Sequence, residues 1–143
     1  MNSYSYPFIV EDNGDGGFIV SFKDIPEALT EVWAKNDIKQ YALDALITSI
    51  EFYIEENKAF PKASKVTAND DFVTLPASVV SKVLLLNAMA QQHVRPIDLA
   101  KKMNIKPQEV NRITNLKHSS KIDTIERALN ALGQKLTISC SWA

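Results

Sequence analysis

The chain reads as an α+β protein in two parts: a small N-terminal β-sheet with a packed helix, joined to an all-α C-terminal module that ends in a β-strand. Three observations predict this. Apolar residues alternate with a period of two around an early glycine-rich turn and again in the last residues. They recur at helical spacing through the middle of the chain and its C-terminal third. Charge divides the same way: residues 91–143 hold nine Lys or Arg against four acids, and residues 1–90 hold seven against thirteen. A net charge of −1 therefore hides a bipolar molecule. The expected divisions are an αβ domain at 1–60, a linker with a short strand at 61–75, and a helical domain at 76–143.

Residues 4–11 and 17–23 are expected as two strands around Asn13-Gly14-Asp15-Gly16-Gly17, a hairpin turn. Phe18, Val20 and Phe22 alternate with Ile19, Ser21 and Lys23, which gives the second strand one aromatic, apolar face. Asp12, Asn13 and Asp15 invite a calcium reading, but the later glutamate of an EF-hand loop is missing, so no metal is expected. Residues 28–33 suggest a third strand. A long helix follows, with Asp37 as N-cap and Gln40 completing a capping box. Leu43, Leu46, Ile47, Ile50 and Ile54 form its apolar stripe, and Tyr41, Phe52 and Tyr53 are expected as edge packing. Residues 57–71 lose this periodicity and contain Pro61. A short strand is expected at 72–75 before Pro76 opens a helix over 77–91.

The most informative stretch is PIDLAKKMNIKPQEVNRITN at 96–115, which has the burial pattern of a helix-turn-helix. Leu99 and Ala100 face inward, and Ala100 is small enough for a close helix crossing. Asn104 falls where the chain must turn with a positive φ, which glycine and, next, asparagine tolerate. Ile105 anchors the turn, Pro107 suits the first helical position, and Val110 and Ile113 point back at Leu99 and Met103. The outward residues are polar: Lys106, Gln108, Glu109, Asn111, Arg112 and Asn115, with Lys117 just beyond. Arg can read guanine, and Asn or Gln adenine, in a major groove. Six of the nine C-terminal bases lie between Lys101 and Lys121. A phosphate polymer should approach this half and be repelled by the other.

A helix at 122–132, closed by Gly133, completes four short helices that resemble the phage-repressor type of DNA-binding domain. Thr114 and Leu116 depart from the residues common there, which leaves open the path of the next loop and the role of His118. In the tail, Leu136, Ile138, Cys140 and Trp142 fall on one side of a period-two pattern. A lone strand leaves backbone groups unpaired; the strand at 72–75 and a second copy of the tail are the two candidate partners, and the second is expected, in keeping with the two-fold symmetry of helix-turn-helix dimers.

Composition bounds the alternatives. No apolar run approaches the ~20 residues of a membrane helix. The opening MNSYSYPFIV lacks a basic region leading into an apolar core, so a cytoplasmic protein without membrane contact is expected. One cysteine excludes an internal disulfide, and two histidines, His93 and His118, exclude a His-rich metal site. No cofactor fingerprint is present.

The succession GDGGFIVSFKDIPEALT, then ALDAL and FYIEEN, then FVTLPASVVSKVLLLNAM leading into the helix-turn-helix, resembles the HicB antitoxin family, in the branch whose DNA-binding domain is helical. The resemblance covers essentially the whole chain. It implies a partial ribonuclease-H-like N-terminal fold without nuclease activity. It also implies a partner toxin, HicA, a ribonuclease that cuts messenger RNA, and repression of the protein's own operon through the C-terminal domain.

An acidic N-terminal half suits occlusion of an RNA-gripping partner. Asp24, Glu27, Glu31 and Trp33 cluster in one irregular segment and are the candidate toxin contacts. The competing functions are a stand-alone regulator that senses a small ligand and a nuclease built on Glu11, Asp24 and Asp44. A two-metal nuclease needs its carboxylates to converge, and these three belong to two strand ends and a helix face. No enzyme is expected.

Overall fold

The computed structural model describes residues 4–142. Its chain forms two compact units, one of residues 1–56 with 60–80 and one of 57–59 with 81–143.

The first unit is a two-layer sandwich of a sheet and a helix. Strands β1 (Ser5–Asp12), β2 (Phe18–Ser21), β3 (Leu29–Val32) and β4 (Asp71–Thr74) form one antiparallel sheet in the order β3-β2-β1-β4. The hairpin joining β1 to β2 closes with the Asn13 N–H donating to the Gly17 carbonyl at 3.1 Å. Two of its side-chain oxygens bond within the turn. Asp12 Oδ1 accepts from the Gly14 N–H, and Asn13 Oδ1 accepts from the N–H groups of Asp15 and Gly17. These side chains thus build a turn. The third expected strand is present as β3, and the short strand before Pro76 is β4.

Even-numbered positions of β1, β2 and β3 face the helix layer, where Tyr6, Phe8, Val20 and Val32 are buried. Helix α1 (Ile38–Glu55) covers that side with Ala42, Leu46, Ser49 and Ile50, and the Ser49 hydroxyl is satisfied by the Leu46 carbonyl at 2.6 Å. The expected capping box is corrected. A 3-10 turn at Lys35–Asp37 already coils the chain, so Asp37 has helical angles (φ −96, ψ −3) and its side chain makes no cap bond. An N-cap carboxylate reaches the first free N–H groups only from extended backbone. Gln40 instead donates to Asp44 Oδ1 at 2.9 Å.

The second unit is helical. Helix α2 (Ala77–Gln91) enters it at Ser81, and α3 (Pro96–Met103), α4 (Pro107–Thr114) and α5 (Ile122–Ala131) follow. Their apolar faces meet in one core that includes Leu85, Met89, Leu99, Ala100, Val110, Ile113, Ile125 and Leu129.

Three of these helices stop in the same way. His93 (φ 53), Asn104 (φ 55) and Gly133 (φ 78) are left-handed residues just past α2, α3 and α5. In each case the next residue's N–H reaches back to a carbonyl five residues earlier: Val94 to Met89, Ile105 to Ala100, and Gln134 to Leu129. This is the Schellman arrangement, which satisfies carbonyls that a helix end leaves free.

The terminal β-strand expected at 135–142 is not formed: residues 134–142 have no regular secondary structure. A strand takes its backbone partners from a neighbouring strand, and the helical unit supplies none.

Candidate nucleic-acid interface

Helices α3 and α4 are separated by Asn104, Ile105 and Lys106, and they pack directly on each other. Two local devices fix the pair. Asp98 accepts from the Arg95 N–H at 3.0 Å and pairs with the Arg95 side chain at 3.2 Å, closing the start of α3. Those bonds hold the Asp98 carboxyl below the usual aspartate range. Proline opens both helices, Pro96 in α3 and Pro107 in α4, where no N–H partner is lost.

Leu99, Ala100, Val110 and Ile113 are buried as the periodicity predicts. The opposite side of α4 is open to solvent. Lys106, Gln108, Glu109, Asn111, Arg112, Asn115 and Lys117 are all exposed, so the seven residues expected at a DNA surface line α4 and its two ends as an exposed ridge. Six cations, Lys101, Lys102, Lys106, Arg112, Lys117 and Lys121, are exposed on or beside it. Asn115 has a second role, because its Oδ1 accepts from the Lys117 N–H at 2.9 Å and shapes the turn after α4.

Sequence reasoning missed the residue that anchors this turn. Lys82, on α2, is 3% exposed, and its Nζ donates to the carbonyls of Arg112 (3.3 Å), Asn115 (2.6 Å) and His118. An ammonium has three N–H donors and finds three acceptors here. Its positive charge lies at the C-terminal end of α4, where the helix dipole favours a cation. Burial pulls the Lys82 pKa below the ordinary lysine value. The signal in the sequence was a single charge inside the apolar run VVSKVLLL. His118 is exposed, and its carbonyl rather than its ring makes this contact.

The candidate toxin contacts are not brought together as one cluster. Asp24 is occupied internally: it accepts from the Ser64 N–H at 2.7 Å and from the Ser64 hydroxyl. Glu27 accepts from the Tyr53 hydroxyl at 2.7 Å. Glu31 and Trp33 remain available on the β3 side, although Glu31 accepts a bond from the Asn13 side chain at 3.2 Å. Trp33 lies over the hairpin so closely that a Cβ on Gly17 would come within 2.7 Å of its ring.

The nuclease candidates are likewise dispersed. Glu11 projects from the sheet side facing away from α1, Asp24 is held by Ser64, and Asp44 sits on α1 beside Gln40. In the tail, Leu136 packs on the core of its own unit, whereas Ile138, Cys140 and Trp142 are exposed.

A family model described as the HicB_like antitoxin of bacterial toxin-antitoxin systems matches residues 5–84. The chain belongs to the HicB-like antitoxin family. It is 47% identical over 139 residues to "Antitoxin HicB 1" of Photorhabdus laumondii, covering 97% of this chain and 88% of that one. Over 133 residues it is 41% identical to "Antitoxin HicB" of Escherichia coli K12, covering 93% and 96%. A more distant relative, "Antitoxin HicB" of Pseudomonas fluorescens, is 27% identical over 139 residues. The family match takes in the whole sheet, α1 and the start of α2. The relatives' alignments extend across the α3–α4 ridge of this HicB-like antitoxin as well.

No described helix of this HicB-like chain is long and apolar enough to cross a membrane.

Proposed function

We propose that this antitoxin has two activities on its two units. The sheet-and-helix unit binds and neutralises a small RNA-cutting toxin of the HicA type. The helical unit is a helix-turn-helix domain that represses the operon by placing α4 in the DNA major groove. The observation that carries the second activity is the division of α4 between buried Val110 and Ile113 and an exposed ridge of amides and cations. That ridge offers both base-reading and phosphate-contacting groups.

The domain is proposed to act as a two-fold dimer, through an extended tail that leaves Ile138 (75% exposed) and Trp142 (101% exposed) in water. Half-sites should then lie about one helical turn apart, or a multiple of it. Operator binding and messenger RNA as the toxin's target both place the protein in the cytoplasm. The chemistry is binding rather than catalysis.

A gel-shift titration of the promoter beside the gene, with and without the neighbouring gene product, tests the whole reading. Specific retardation of a near-palindromic site and abolished toxicity on co-expression are expected. Equal affinity for promoter and random DNA overturns the operator role, and undiminished toxicity overturns neutralisation.

A second reading, a ligand-responsive regulator, has one observation in its favour. An open cavity of about 380 Å³ lies between the sheet and the start of α1, with Phe8, Val10, Phe18 and Ile38 as its apolar lining and Lys35 and Asp71 among its polar groups. A ligand held there raises the melting temperature in a thermal-shift screen.

A further inference from the structure

We infer that the sheet face turned away from α1 is the surface that grips the toxin, a small basic protein with an exposed apolar patch of its own. This inference rests on the toxin-binding reading and adds the place of contact.

Strand register defines the face. Opposite the buried even positions of β1 and β2 project Pro7, Ile9 and Glu11 and then Ile19 and Ser21. Phe72 on β4 lies beside Pro7, Leu29 on β3 lies beside Ser21, and Glu31 lies beside Ile19. Trp33 follows one position past β3. One row therefore runs Ile9–Ser21–Leu29 and the next Glu11–Ile19–Glu31 across three strands.

A solvent-facing side of an antiparallel sheet is ordinarily polar. This one is not. Ile9 is 50% exposed, Leu29 64%, Trp33 61% and Phe72 42%, and they come from or adjoin three of the four strands. An apolar surface of this kind, rimmed by charge, marks a site of protein contact.

Charge selects the occupant. Glu11 and Glu31 flank Ile19, while Lys23, two residues past β2, has Asp70 for a neighbour. Residues 1–80 hold thirteen acids and six bases. A protein that cuts RNA must present cations to phosphate, so it brings the complementary sign. A second copy of this chain would bring the same carboxylates, and like charges across an interface are penalised. The other large exposed apolar groups of this unit, Tyr41 and Phe52, lie on α1 in the opposite layer and serve as controls.

The test uses the full-length antitoxin and the small basic protein encoded beside it, with affinity measured by calorimetry. Leu29→Arg and Phe72→Arg should each weaken binding about tenfold or more, and Tyr41→Arg should change it less than about twofold. Circular dichroism and melting temperature verify that each variant folds. Hydroxyl-radical footprinting of the wild-type complex, which needs no variant, should show protection of Trp33 and Phe72.

Wild-type protein that binds no such neighbour overturns the toxin-binding reading itself. Wild-type binding with unchanged affinity in both folded variants, or no protection of Trp33 and Phe72, overturns the face alone. So does a drop in the free antitoxin's oligomeric mass in Leu29→Arg with toxin affinity intact, which assigns the face to a second copy.

Discussion

Lys82 Nζ donates to the carbonyl of Asn115 at 2.6 Å, so a buried ammonium on α2 holds the residue that ends the exposed ridge of α4. The same nitrogen serves Arg112 and His118, which makes Lys82 a mechanical link between the core and the proposed reading surface. Lys82→Met keeps the apolar stem but takes a donor from three part-buried carbonyls, of which Arg112 and Asn115 keep a backbone N–H and His118 loses the ammonium. Leaving a buried polar group unpaired costs about 1–3 kcal/mol, and water reaching the loosened turn should hold the loss near the lower end of that range. The expected outcome is a lower denaturant midpoint together with weaker operator binding, because the turn carrying Asn115 and Lys117 loses its anchor. A variant as stable as wild type would mean that water replaces the ammonium without penalty.

On the ridge itself, unequal effects are expected. Arg112→Ala or Asn111→Ala should cost about 1–3 kcal/mol of operator affinity and relax preference at particular bases. Lys117→Ala should weaken binding to all sequences alike and reduce the salt slope by about one. Gel shifts on operator and random DNA at several salt concentrations separate the two classes. Identical losses on both DNAs for all three variants would contradict the division.

Much of this architecture is legible in periodicity and turn chemistry. The residues around Asn104 announce their turn because asparagine is one of few side chains that accept φ 55, and Val110 and Ile113 announce their burial by spacing. Long-range contacts leave no such trace. Nothing local ties Asp24 to Ser64, forty residues on, or Lys82 to a loop more than thirty residues away. The tail fails for the opposite reason: period-two alternation from Leu136 to Trp142 describes a strand's side chains but supplies no neighbouring backbone. The apolar outer face of the sheet hides in the alternation itself, since a single strand sets Ile19 opposite its aromatic face but only register brings Ile9 and Leu29 to the same side.

His93 is the least suited of the three left-handed residues that stop helices in the second unit. A side chain in this conformation costs roughly 1–2 kcal/mol, part of which glycine gives back through its freer unfolded chain. His93→Gly should therefore stabilise the protein by about 0.5–1 kcal/mol, whereas the β-branched His93→Val should destabilise it. Its ring is exposed, so no packing is lost. Chemical denaturation with an unchanged m-value checks both, and a less stable His93→Gly would show that the imidazole makes a contact worth more than the backbone relief.

Alkaline conditions should loosen the first unit through its hydrogen-bonded phenols. Burial, and then the hydrogen bond donated to Glu27, push the Tyr53 pKa up to about 12 from its ordinary 10.0. Because the folded value lies above the unfolded one, the neutral phenol's contribution is complete below pH 10 and disappears as pH rises through 12. Tyr6, whose hydroxyl donates to the Pro61 carbonyl at 2.7 Å, is shifted the same way by burial and by its neighbours Tyr4 and Asp24. Melting temperature should thus fall across this window in wild type, and less steeply in Tyr53→Phe, which has no proton to lose. Glu27→Gln should give an intermediate slope, since it removes the adjacent charge but keeps an acceptor. Equal slopes for all three would place the alkaline sensitivity on Tyr6 or elsewhere and remove Tyr53 from the account.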